Sequence, residues 1–200
     1  MAAGLAVLIP AAGASARMRG GDKLMEVVEG APLIARMARR ALAAGLPVLV
    51  TLPPGRPARA AALAGIAVET LVVADAAEGL SASIRAGIAA LAPRAAAVMV
   101  LLADLPDITT EDLAQMAAAH AAAPDAILRG AAADGTPGHP VIFPARLFPA
   151  LRALTGDAGA RDLLRALGPE VRPVPLPGRH AVTDLDTPED WARWRGGPRP

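Results

Sequence analysis

Cysteine is absent from the 200 residues, which excludes disulfide bonds and thiolate metal sites. Aromatic side chains make up 2% of the chain, so alanine, valine and leucine must fill the core. Neither sign of charge dominates, since 20 basic and 19 acidic residues leave a net charge of +1. That balance carries no footprint of a general nucleic-acid binder. The apolar runs at 46–52 and 95–103 fall short of the ~20 residues a bilayer span needs. Met1 to Pro10 is apolar but has no basic segment, and a glycine-rich loop interrupts it, so it does not read as a targeting peptide. The expectation is a cytoplasmic protein with neither membrane nor nucleic acid as partner. Lysine is nearly missing too: of 20 basic residues only Lys23 is a lysine. A single exception inside a Gly-rich loop points to a need for a compact ammonium there.

With 54% hydrophobic and 20% charged residues, the composition is that of a globular domain long enough to bury its own core. Apolar strand-like runs alternate with helical patterns. Strands are expected at Leu5–Ile9, Pro47–Leu52, Val68–Ala74 and Ala96–Ala103, with helices at Pro32–Ala44, Pro57–Ala64 and Leu80–Leu91. Continuous apolar strands between helices predict a parallel sheet covered on both faces. Beyond these, a helix from Thr110 to about Ala122 precedes strands at Asp125–Gly130 and Val141–Phe143, helices at Ala145–Leu154 and Ala158–Leu167, and a strand at Val171–Leu176. Thr187 followed by Pro188, Glu189 and Asp190 reads as the cap and first turn of a last helix. No linker divides the chain, so one domain over 1–195 with a tail at 196–200 is expected.

Five motifs carry candidate chemistry. The loop from Pro10 to Lys23 is rich in small residues, which let backbone N–H groups approach an anion closely. Ala11, Ala12, Gly13 and Ala14 supply that backbone, and Arg17 and Lys23 add positive charge. The loop is neither a Walker A motif nor a G-x-G-x-x-G fingerprint. Asp104 follows a buried apolar run immediately, at the carboxyl end of a strand, where open parallel sheets bind ligands and where a hard carboxylate suits Mg²⁺. Asp186, before the last helix, either adds a second metal ligand or favours the helix N-terminus. Gly79, Ser81 and Ser83 open a helix, where the hydroxyls either cap backbone N–H groups or reach a base or ribose. Glycine-bearing turns at 135–140 and 156–161 hold His139, Asp157 and Arg161. His139 has no sequence neighbour with which to bind zinc, and His120 and His180 are expected at the surface.

In this order the segments resemble the MobA-like nucleotidyltransferase family, and within it the molybdenum cofactor cytidylyltransferases. The match covers almost the whole chain. Ala-Ala-Gly-x-Ser-x-Arg-Met ending at Lys23 resembles the family's signature loop, and Gly79-Leu80-Ser81-Ala82-Ser83 its helix start. Ala103-Asp104-Leu105-Pro106 resembles the metal motif, and Gly138-His139-Pro140 the Gly-(His/Asn)-Pro turn. Gly156-Asp157-x-Gly159-Ala160-Arg161 and Asp184 to Asp190 also have counterparts. Pro10 and Arg19 depart from the pattern, which more often has Leu and Gly there.

The resemblance implies a Rossmann-like nucleotidyltransferase fold, three-layer α/β/α with a mostly parallel sheet. It implies transfer of a nucleoside monophosphate from an NTP to a phosphorylated acceptor. Ala-Ala-Gly tilts the choice to CTP, and the Gly-Asp-x-Gly-Ala-Arg turn, typical of the molybdopterin cytidylyl branch, to a molybdopterin-type acceptor, with a molybdoenzyme client as a candidate partner. A guanylyltransferase, another small-molecule phosphate nucleotidyltransferase and a non-catalytic pterin carrier stand as alternatives. In the implied site Asp104 and Asp186 hold Mg²⁺, while Arg17 and Lys23 hold phosphates. Ala11 to Ala14, Gly79, Ser81 and Ser83 contact the nucleotide, and His139, Asp157 and Arg161 serve the acceptor.

Overall fold

The computed structural model describes residues 4–197; residues 1–3 and 198–200, most of the expected tail, lie outside them. β1 (Gly4–Pro10) leads through the glycine-rich loop to a small antiparallel pair, β2 (Val27–Val28) and β3 (Ala31–Pro32), and to α1 (Leu33–Ala43). β4 (Val48–Leu52), α2 (Pro57–Leu63), β5 (Glu69–Val72), α3 (Leu80–Leu91) and β6 (Ala95–Val100) alternate as the hydropathy pattern predicts. The second half adds α4 (Thr110–Ala122), β7 (Ile127–Ala131), β8 (Pro137–Pro144) and α5 (Phe148–Arg152). It closes with α6 (Arg161–Leu167), β9 (Val171–Pro175) and α7 (Pro188–Gly196).

Seven strands form one sheet in the order β5-β4-β1-β6-β8-β7-β9. β8 runs antiparallel to both its neighbours, and the other pairings are parallel. Alternation along β1 sends Val7 and Ile9 into one core layer and Ala6 and Leu8 into the other. Helices cover both faces, giving a three-layer, Rossmann-like fold. α1, α4 and α7 contribute Met37, Leu113 and Trp191 to the first layer; α3 and α5 contribute Ile88 and Leu151 to the second. α3 lies close to β1 because Gly87 has no side chain: a Cβ there would fall 2.3 Å from Leu8 Cδ1. Among the described residues no helix is long and apolar enough to cross a membrane.

Three elements differ from expectation for local reasons. The helix expected over 145–154 divides into a 3-10 turn, Ala145–Leu147, and α5. Pro149 has no N–H to donate to an earlier turn, so it is accommodated in the first turn of α5. The helix expected from Ala158 begins at Arg161, after Gly159 at φ +56° has turned the chain. β8 extends well beyond Val141–Phe143, because its three prolines hide an extended run from propensity.

The sheet order creates the site. From β1 the chain moves outward to β4 and β5, then returns to β6 on the other side of β1. The loops after β1 and β6 therefore leave adjacent strands at the point where the order reverses, where open α/β sheets form a crevice.

Candidate active site

The glycine-rich loop is shaped from outside by two arginines of the α2 region. Arg59 is fully buried, and its guanidinium meets the Asp22 carboxylate through two bonds of 2.8 Å. The same group donates to the carbonyls of Ala11 (2.6 Å) and Gly13 (2.8 Å) and to Ser15 Oγ (3.1 Å). Arg56 adds bonds to Asp22 (3.1 Å) and to the Ala14 carbonyl (2.7 Å). Neither arginine lines the adjoining cavity, so three loop carbonyls are turned away from it. Ser15, Arg19 and Gly20 take left-handed backbone angles that fold the loop back on itself, and buried Met18 anchors the fold-back. Asp22 also caps the following 3-10 turn by accepting the Leu24 N–H at 3.1 Å. Burial opposes ionisation of Asp22, but the Arg59 bonds and charge outweigh it and hold the carboxyl below its ordinary range.

Lys23, at the end of this loop, is the hub of the charged centre. Its Nζ lies 2.5 Å from Asp104 Oδ2 and 2.6 Å from Asp186 Oδ1, and Arg17 reaches Asp186 Oδ2 at 2.8 Å. Asp104 stands just past β6. Asp186 is brought to it by the chain before α7, where the Leu185 N–H donates to the Asp104 carbonyl at 3.1 Å. A capping box between Thr187 and Asp190 then starts α7, and the Asp186 carboxylate is left facing Lys23 and Arg17. Burial weakens the Lys23 charge less than Asp104 and Asp186 strengthen it, so its pKa is raised. Asp184 is raised by burial and by the neighbouring Asp104 and Asp186 charges. Asp104 Oδ1 is buried without a hydrogen-bond partner. Orphaned carboxylate oxygen beside a second carboxylate fits a hard divalent cation, which takes one or two carboxylates plus substrate phosphates. No group of three or more His, Cys, Asp or Glu that could hold a metal occurs among the described residues, so any such ion would need phosphate oxygens as well.

Two cavities meet here. The larger, about 640 Å³, lies between the loop, Asp104 and the start of α3. Gly79 lines it at φ +99° and ψ −159°, a conformation only glycine adopts readily, with Asp157 packed where a Cβ would stand. The second, about 360 Å³, is walled by Val100, Leu102, Val141 and Phe143 and holds Arg129 and His139. Arg161 and Asp184 line both. Burial, chiefly, drives the His139 pKa down to about 4, so the ring is neutral near pH 7; its Nδ1 is buried without a partner.

The candidate residues divide accordingly. Arg17, Lys23, Gly13, Ala14, Gly79, Ser83, Asp104 and Asp186 share the larger cavity, and His139 lies in the smaller. Ala11 and Ala12 are buried and line neither, and the Ala11 N–H is used on the Thr51 carbonyl at 3.0 Å. Ser81 is fully buried and donates to the Thr155 carbonyl at 3.1 Å, so it neither caps α3 nor lines a cavity. Asp157 was expected on the acceptor side, yet it lines the larger cavity and accepts the Leu80 N–H at 3.3 Å. His180 is not a surface residue: it is buried, with Nδ1 2.8 Å from Asp112. His120 is half-buried. Arg59, Asp22 and Arg129 escaped sequence reasoning. Asp22 beside the sole lysine was the one local signal; Arg59 and Arg129 gain their roles only from what the fold packs against them.

A small-residue loop and a carboxylate–ammonium cluster thus stand at the switch point of this sheet. Residues 7–171 match the MobA-like NTP transferase domain, and the chain belongs to that family. Among solved structures it is similar to Rv0371c from Mycobacterium tuberculosis H37Rv, with 28% identity over 98% of this chain and 100% of that one and a TM-score of 0.84. A second crystal structure of Rv0371c, a complex with manganese, is 27% identical over 95% of this chain and 97% of the other, with a TM-score of 0.79. A nucleotidyl transferase from Methanothermobacter shares the fold at 21% identity, covering 94% of each chain with a TM-score of 0.75. No curated protein matches the chain.

Proposed function

We propose that this chain, as one domain over 1–195, transfers CMP from CTP to the phosphate of molybdenum-loaded molybdopterin and releases pyrophosphate, with Mg²⁺ as cofactor. The observation that carries the reading is the pair of cavities joined at Arg161 and Asp184, with Lys23, Asp104 and Asp186 on the nucleotide side. One cavity offers a small-residue loop and cations for a triphosphate; the other offers a separate chamber for an acceptor. The Ala-Ala-Gly loop supports CTP over GTP, as does the Gly-Asp-x-Gly-Ala-Arg turn for the pterin acceptor. The orphaned Asp104 oxygen supports a divalent cation, and the manganese complex of the related Rv0371c is in keeping with one.

An oxygen of the acceptor phosphate attacks the α-phosphorus of CTP in line. A new phosphoanhydride bond forms, the α–β bridging bond breaks, and pyrophosphate leaves with the electron pair. The nucleophile is already an anion near neutral pH, so no general base is needed. Catalysis then rests on positioning and charge. Lys23 and Arg17 hold the phosphates, and the Gly13–Ala14 backbone lies against the same anion. Gly79 and Ser83 flank the nucleoside, and Arg161 steadies the acceptor phosphate. Asp104 and Asp186 would hold a divalent cation, which would supply neutralisation of phosphate charge.

Pyrophosphate release is measured with Mg²⁺ and CTP, GTP, ATP or UTP, each with and without molybdenum-loaded molybdopterin. Release with CTP only when the pterin is present is expected. Release with GTP instead overturns the nucleotide, and release that ignores the pterin overturns the acceptor.

A further inference from the structure

The smaller cavity is lined by two guanidinium groups, Arg129 and Arg161. Arg129 projects into it from β7 and is half-buried. Its Nε donates to the Gly138 carbonyl at 2.9 Å and one terminal nitrogen to the Pro137 carbonyl at 3.4 Å. These bonds orient the guanidinium plane and leave the other terminal nitrogen uncommitted. Arg161 lines the same cavity and reaches into the nucleotide side. Among the described residues neither guanidinium has a carboxylate partner, whereas Arg59, Arg85 and Arg94 all pair. Burial, and then the Arg161 charge, hold the Arg129 pKa below its ordinary value, although a guanidinium stays protonated near pH 7. Two like charges beside apolar walls are an electrostatic cost that a ligand anion would offset. Among the described residues Asp184 is the one carboxylate lining this cavity, and it lines the larger cavity as well.

We infer that the smaller cavity takes a phosphate monoester bearing a second anionic group across a flat or apolar body, and that Arg129 binds this second group. The inference rests on the acceptor reading above: the reacting phosphate lies at the junction under Arg161, the body lies between Leu102 and Phe143, and the second anion lies at Arg129. A charge-assisted hydrogen bond of this kind changes affinity by about tenfold to a hundredfold.

The test is calorimetric titration of the full chain with 4-carboxybenzyl phosphate and with benzyl phosphate, with Mg·CTP titrated separately into the same preparation. The carboxylated probe is expected to bind at least about tenfold more tightly. Arg129→Met should abolish that preference and leave benzyl phosphate and CTP binding within twofold of the parent protein. Arg129→Gln, which keeps an amide donor for the Gly138 carbonyl, gives the same reading if the methionine variant does not fold. Equal binding of both probes to the parent protein overturns the role of Arg129 and leaves the acceptor reading standing. Equal weakening of both probes in either variant shows Arg129 to be a prop for the turn, and also overturns it. If neither probe binds while CTP does, the inference and the acceptor reading fall together.

Discussion

Removing Arg59 tests whether the loop is held from behind. In Arg59→Met the Asp22 carboxylate loses both 2.8 Å bonds and retains Arg56 at 3.1 Å, the Leu24 N–H at 3.1 Å and Ser15 Oγ at 3.2 Å, while the Ala11 and Gly13 carbonyls lose a buried donor. Breaking a buried ion pair by deleting one partner costs about 3–5 kcal/mol. The low end applies, because Asp22 remains 16% exposed and Arg56 stays in place. At roughly 2–4 °C per kcal/mol for a chain of this size, the expected fall in Tm is about 6–12 °C. Circular-dichroism melts at pH 7 read it directly, with Asp22→Asn and the double variant completing a cycle. The two positions should couple by on the order of 1–3 kcal/mol. The pH dependence has a definite sign. Because the folded Asp22 pKa is lowered, its contribution is fully present above the unfolded carboxyl value and is lost as pH falls through the folded value. Parent and Arg59→Met melts should therefore draw together only in acid. A Tm within about 2 °C of the parent at pH 7, or strict additivity with Asp22→Asn, would refute the reasoning.

The charged centre and the α3 start give further outcomes. Asp104→Asn keeps the shape but removes the charge facing Lys23. Metal-dependent pyrophosphate release should fall by at least about a hundredfold while the near-ultraviolet dichroism stays native; unchanged turnover sinks the metal assignment. Lys23→Arg places a planar fork where one ammonium bridges Asp104 and Asp186, so kcat should drop by about tenfold or more. Full activity in that variant would end the argument from the single lysine. Gly79→Ala puts a Cβ 2.3 Å from Asp157 Oδ1 and 2.9 Å from Asp157 Cα, at a φ of +99°. Destabilisation of about 1–3 kcal/mol is expected, with a raised KM for CTP; urea unfolding and initial rates measure the two.

The α/β alternation was legible because it is local. Apolar runs in β1, β4 and β6, the 3.6-residue pattern of α1 and the Thr187-Pro188 cap each depend on neighbours a few positions away. The antiparallel course of β8 was not legible, because strand direction is set by where the chain returns to the sheet, and prolines obscured the strand itself. The small-residue loop, Lys23 and Asp104 were visible as residue types suited to phosphate and metal. Which cavity each group lines was not, and Asp157 and Ser81 show it: packing turns one into the larger cavity and buries the other against Thr155.

Composition and order thus determined that this chain is a thiol-free α/β protein with a loop of small residues after its first strand and a carboxylate past a buried strand. The tertiary structure alone decided that one ammonium joins Asp104 to Asp186 across 81 and 163 residues of sequence separation from Lys23. It also decided that Arg59 lies behind the loop and that Arg129 faces a second cavity. Periodicity and motifs record what each segment does for itself. Ion pairs and cavities belong to surfaces that meet only after the strand order has reversed around β1.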